Sequence, residues 1–178
     1  MDAAPQRTER WELAALRARL AWRAGNTAAV PTALANAHMV MTMLGGMIDD
    51  LSYIMATHAA AELHLLAGQL DEAWACAQQA LDTLEAAPSL VWMEEVLFTC
   101  SRVAQARGAA SLAADYLQRA YDRCQRVAAE TQSSALRQAW RNAPTQRAIT
   151  AAYLISMSAT TDQPRAALPT SAHSSETA

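Results

Sequence analysis

Leu66-Ala-Gly-Gln-Leu-Asp-Glu-Ala73 and Ala106-Arg-Gly-Ala-Ala-Ser-Leu-Ala113 are two copies of one pattern, and they decide the architecture of this chain. In each, a glycine (Gly68, Gly108) is followed five residues later by an alanine (Ala73, Ala113) and twelve residues later by another (Ala80, Ala120). The two glycines stand 40 residues apart. Gly25 opens a weaker third copy, with Val30 and Ala37 at the same offsets. Repetition at this period signals helical hairpins stacked side by side, because one hairpin alone cannot bury its apolar face.

Composition agrees with such a stack. A chain of 178 residues can bury a core without disulfide or metal staples. Hydrophobic residues make up 52% and aromatics only 6%, while alanine supplies 43 positions, so the core must rest on close helix-to-helix contacts over small side chains. Alanine also has the highest helix propensity. Cys76, Cys100 and Cys124 are odd in number and share no CxxC or Cys/His ligand spacing; they read as small apolar residues of a protein in a reducing cytosol. Arg7, Glu9, Arg10 and Glu12 interrupt any apolar leader, and the longest apolar run, Met39 to Ile48, is too short to span a bilayer. The expected location is cytoplasmic, with no membrane partner.

All 14 basic residues are arginine. The absence of lysine excludes a GxxxxGK[ST] phosphate loop, a Schiff-base lysine and a Ser-Lys dyad. No GxSxG elbow or HExxH pair occurs either. Charge falls in blocks. Residues 24–101 hold nine acids and no arginine, residues 102–147 hold eight arginines against Asp115, Asp122 and Glu130, and the stretch through Arg23 is mildly basic. In a stacked array these become spatial blocks, an acidic middle between basic ends.

The periodicity predicts seven or eight helices and no strand. They fall at about 8–24, from 27–31 to Gly45, 47–66, 70–86, 89–107 with Ser89 as cap, 110–129, 133–141 and 145–157. Asp49 and Asp50 flank the third helix, where carboxylates favour the positive end of its dipole. Residues 1–7 read as a flexible start. Residues 8–157 form the repeat domain, in units of about 8–46, 47–88 and 89–130 followed by capping helices over 131–157. The Ser/Thr/Pro-rich residues 158–178 read as a disordered tail.

The hairpins resemble tetratricopeptide repeats, which carry a small residue midway along the first helix, glycine at the turn and two alanines in the second helix. The matching positions are Ala61, Gly68, Ala73 and Ala80 in one unit and Ser101, Gly108, Ala113 and Ala120 in the next; the first unit keeps Ala18, Gly25 and Ala37. Thr57 and His64, then Leu97 and Ala104, replace the family's first-helix aromatics, and the period exceeds the usual one. The resemblance implies an all-α, right-handed superhelical stack of antiparallel hairpins. The segment from Leu136 to Tyr153, with Trp140 and an Asn142-Ala-Pro144 break, resembles the closing helices of bacterial ATPase–tetratricopeptide regulators, though an ordinary capping hairpin reads the same way.

By the same resemblance, a concave groove is lined by Glu12, Ala15, Arg19 and Trp22 of the first unit, Met55, His58, Glu62 and Leu65 of the second, and Glu95, Phe98, Arg102 and Gln105 of the third. Apolar and charged groups are mixed there, as a peptide-binding groove requires, with anchors for side chains and charges for register. His58 and Glu62 share a helix face while His64 points about 120° away, so those three do not form a metal site. No metal and no cofactor are expected. Arg119, Arg123 and Arg126 form a stripe, but Asp115 and Asp122 interleave with it and the net charge is −3, so pairing with nearby acids is expected and nucleic acid is not.

The resulting expectation is a non-catalytic protein-interaction or regulatory module that binds a peptide or partner helix, favouring a cationic one. Salt-sensitive self-association, the basic third unit of one copy against the acidic second unit of another, is a corollary. The alternative is the C-terminal sensory segment of a bacterial ATPase-type signal transducer or transcriptional regulator.

Overall fold

The computed structural model describes residue 20 and residues 27–44, 51–86 and 92–161. Among them are seven helices: α1 (Val30–Leu44), α2 (Leu51–Leu66), α3 (Leu70–Ala86), α4 (Met93–Ala106), α5 (Ala110–Glu130), α6 (Ser134–Asn142) and α7 (Pro144–Thr161). No strand occurs among the described residues. Each helix packs against the next, and α2 also touches α4 directly. This contact across α3 sets the first helices of successive hairpins side by side, the arrangement of an α-helical repeat stack.

The two glycines of the repeat make identical turns. Gly68 (φ 74°) and Gly108 (φ 78°) occupy the left-handed region that closes a helix at little cost only for glycine. The Gly68 N–H bonds the Leu65 carbonyl at 3.1 Å and the Gln69 N–H the His64 carbonyl at 2.9 Å. Gly108 and Ala109 repeat these bonds to Gln105 and Ala104 at 3.0 and 2.9 Å. This Schellman pair satisfies carbonyls that the helix end would otherwise orphan. Beyond each turn the repeat alanines are buried: Ala73 and Ala80 in α3, Ala113 and Ala120 in α5. Ser101, a small residue midway along α4, donates its hydroxyl to the Ala113 carbonyl at 2.8 Å, so it is both spacer and hydrogen-bond link.

The main core cluster runs from α1 to α7, with Ile54, Leu84, Val96, Leu117 and Ile149 among its members, and two smaller apolar clusters lie between α1 and α2. All three cysteines are free and buried within the helices. Burial pushes the thiols of Cys100 and Cys124 up to about 12, with Glu94 and Glu95 adding to the rise at Cys124.

Helix limits differ from the periodicity at two places. The helix expected from Ser89 begins at Met93, with Trp92 as its N-cap; Ser89 lies outside the described residues. Trp92 has φ 70°, uncommon for a bulky residue, and no side chain caps this end. Its carbonyl accepts from the N–H groups of Glu95 and Val96, while Glu94 and Glu95 place negative charge on the first turn. At the other end, α7 continues to Thr161, four residues into the segment read as tail. The Asn142-Ala-Pro144 break falls as read: Ala143 is extended, and Pro144 opens α7, where its missing N–H costs nothing. Of the helix expected over 8–24, Leu20 alone is described and is helical; the rest of it, the Gly25 turn, Asp49 and Asp50 lie outside the described residues.

Candidate functional site

The side of the stack formed by α2, α4 and the start of α7 carries a narrow cleft of about 110 Å³. α2 contributes His58 and Glu62, four residues apart on one helical face; α4 contributes Glu95, Phe98, Thr99 and Arg102; α7 closes the cleft with Pro144, Thr145 and Ala148. The cleft therefore exists because successive first helices lie side by side and the proline break returns the chain to meet them.

A chain of polar groups crosses its floor. The Thr99 hydroxyl lies 2.7 Å from Glu62 Oε1, 2.9 Å from His58 Nε2 and 3.1 Å from the Glu95 carbonyl. A hydroxyl has one proton, and the shortest, charge-assisted bond takes it, so Thr99 donates to Glu62 and accepts from the Nε2–H of His58. Arg102 donates to the same carboxylate oxygen at 2.6 Å. Thr99 is 2% exposed, Glu62 5% and His58 7%, whereas the Arg102 side chain is 38% exposed. A buried carboxylate is tolerable only with such partners. The guanidinium also lies 6.0 Å from the centre of the Phe98 ring.

Five of the residues placed on the groove by resemblance meet here: His58, Glu62, Glu95, Phe98 and Arg102. Met55 instead packs with Val40 and Ala56 between α1 and α2, and Gln105 is exposed away from the cleft. Glu12, Arg19 and Trp22 lie outside the described residues. Two contributions have no counterpart in the sequence reading. Thr99 carries no signal in the sequence, being a single threonine between Phe98 and Cys100 in a helix of mixed character, and the first turn of α7, expected to be part of a cap, forms a wall.

The charge blocks meet within the chain. Arg102 pairs with Glu62, Arg107 with Asp71 at 3.0 Å and Arg119 with Glu85 at 2.7 Å. Each pair joins an arginine of the third unit to an acid of the second. Complementary charge thus joins neighbouring hairpins within one copy, and Arg119 of the basic stripe is engaged in it. Aromatic faces lie alongside: Arg107 sits 5.3 Å from the Trp74 ring and Arg119 5.6 Å from Tyr116.

A second polar cluster lies between α1, α2 and α3. His64 turns away from His58, as its offset requires, and meets His38 of α1 at 3.2 Å between their Nε2 atoms. Its Nδ1 is 2.8 Å from Gln69 Oε1. Burial lowers the pKa of His38 below its ordinary value, and the neighbouring His64 lowers it further. Cys76 completes the cluster from α3, its thiol pushed up by burial and then by Glu72. Sequence spacing gave no sign of this group, because its members come from three helices.

Along α7, Tyr153 stacks on Tyr121 of α5 at 4.0 Å, while Leu154, Ile155 and Met157 are exposed. No helix among the described residues is long and apolar enough to cross a membrane. Compared with protein-family models, curated proteins and solved structures, the chain matches none.

Proposed function

We propose that this chain is a non-catalytic interaction module of tetratricopeptide-like design, which receives a peptide or partner helix along the side formed by α2, α4 and the start of α7. The observation that carries this reading is the prearranged polar chain His58–Thr99–Glu62–Arg102 beneath the cleft, with Phe98 beside it. Fixed charges next to an aromatic anchor supply register and affinity at little ordering cost. The partner favoured is cationic: a basic side chain competes with Arg102 for the Glu62 carboxylate, and Glu95 adds negative charge to the wall. Catalysis by Thr99 is disfavoured because its hydroxyl is 2% exposed and enclosed by His58, Glu62 and the Glu95 carbonyl, which leaves no room for a substrate atom to approach it.

Selection of displayed peptides on the wild-type chain tests the reading. Enriched peptides should be basic, bind more weakly as salt rises, and lose binding to a folded Glu95→Arg/Phe98→Ala double variant. Peptides that bind wild type and double variant equally would remove the cleft from the function.

A second reading, packing of the module against another domain of a signal-transducing ATPase or transcriptional regulator, is favoured by the exposed Leu154, Ile155 and Met157 on α7. Such a domain would shield these side chains from solvent, which amide exchange in a reconstituted complex would detect.

A further inference from the structure

The geometry points to a transition-metal site of the zinc class, made by His38, His64 and Cys76 at the junction of α1, α2 and α3. Their ligand atoms, two imidazole nitrogens and a thiol sulfur, lie within 4.8 Å of one another. Two nitrogens bound to one tetrahedral ion at about 2.0–2.1 Å must stand about 3.3 Å apart; the two Nε2 atoms are 3.2 Å apart. The donor set of two imidazoles and a thiolate is that of borderline-soft divalent cations and does not suit magnesium or calcium.

The surroundings prepare the ligands. Gln69 Oε1 accepts from Nδ1–H of His64 at 2.8 Å. That bond fixes the tautomer with a bare lone pair on Nε2, the outer-shell support typical of metal-binding histidine. Gln69 is itself held by the glycine turn, since its N–H bonds the His64 carbonyl at 2.9 Å. The repeat turn thus positions the ligand. Without a metal, His38 donates its Nε2–H to His64 Nε2. On binding, His38 carries that proton on Nδ1 instead, and Cys76 releases its thiol proton to solvent and coordinates as thiolate. A tetrahedral ion then keeps a fourth position for water or an external donor.

The next junction supplies an internal comparison. Moved by one 40-residue period, the three positions become Gln78, Ala104 and Tyr116. There Gln78 Nε2 donates to the Tyr116 hydroxyl at 3.1 Å, and Ala104 offers no ligand. The same scaffold positions thus carry an ordinary hydrogen bond in one junction and three metal-type ligands in the other.

Cobalt(II) titration of the full chain, with thiols kept reduced, tests the site, cobalt reporting as a spectroscopic probe. Wild type is expected to bind one equivalent, with a thiolate-to-cobalt charge-transfer band and the visible bands of a tetrahedral ion. Cys76→Ser should abolish the charge-transfer band. His38→Ala changes an exposed residue and should abolish stoichiometric binding while the fold persists by circular dichroism. His58→Ala, in the separate cleft, should leave the spectrum unchanged, and Gln69→Ala should weaken binding about 10- to 100-fold. Absence of the bands in wild type, or their persistence in both Cys76→Ser and His38→Ala, would overturn the site. Wild-type affinity in Gln69→Ala would overturn the positioning role of that residue.

Discussion

The junction of α1, α2 and α3 and the junction of α3, α4 and α5 share a helical plan, yet different chemistry closes them. The later one is cross-linked by charge and aromatic surface: Arg107 and Arg119 reach back to Asp71 and Glu85, and Tyr116 lies between Trp74, Gln78 and Arg119. The earlier one holds two imidazoles and a thiol. Repetition in a solenoid fixes where neighbouring hairpins touch and leaves the identity of the contact free. One junction can therefore serve stability while the other acquires ligands.

The largest expected effect comes from breaking the later junction. Tyr116→Ala should cost about 3 kcal/mol, since a buried aromatic is lost together with its partners. Urea denaturation measures that loss, and hydrogen exchange should place it in α3 to α5 with α1 and α2 less affected. Arg102→Ala should cost about 2 kcal/mol, less than a fully buried pair because water reaches the guanidinium, and more than Glu62→Ala, which leaves an arginine able to rehydrate. An equal loss in both variants would mean that Glu62 is not the constrained partner. Gly68→Ala and Gly108→Ala should each cost about 1 kcal/mol from the left-handed backbone alone. An added Cβ meets nothing within 4 Å at either glycine, so unequal losses would show that the two turns are not equivalent.

A pH effect of similar size follows from the buried thiols. Their folded pKa values are raised from 9.0 to about 12, so below pH 9 their stabilising contribution is fully present. Between about 9 and 12 the unfolded thiols ionise while the folded ones do not, and stability falls as pH rises. By pH 10 the loss should reach about 1.4 kcal/mol per thiol, and Cys100→Ala should reduce the pH dependence of the urea midpoint by about half. The smallest effect is expected at Asp71, whose side chain is 88% exposed: Asp71→Ala should change stability by no more than about 0.5 kcal/mol. A larger loss would show that this surface ion pair contributes more to the later junction than its exposure implies.

Much of this was legible residue by residue. Gly68 and Gly108 announced their turns because only glycine takes that backbone conformation without strain, and the alanines at fixed offsets announced the close helix contacts. His58 and Glu62 could be placed on one face because four residues make about one helical turn. The start of α4 could not be read, because Trp92 caps it through its backbone and no side-chain signature marks the place. Thr99 was silent for a related reason: its role comes from Glu62 and His58, 37 and 41 residues away.

The sequence by itself determined that this is an all-helical repeat, where its hairpins turn, and that its charge is segregated, because propensity, periodicity and glycine geometry act over a few residues. Only the tertiary structure decided what that charge does and which side chains converge. The acids of one hairpin meet the arginines of the next across a period of about 40 residues, α7 becomes a wall of the cleft, and His38, His64 and Cys76 come together from three helices. Those contacts depend on how helices rotate and stack against one another, which is set by packing and leaves no local mark on the chain.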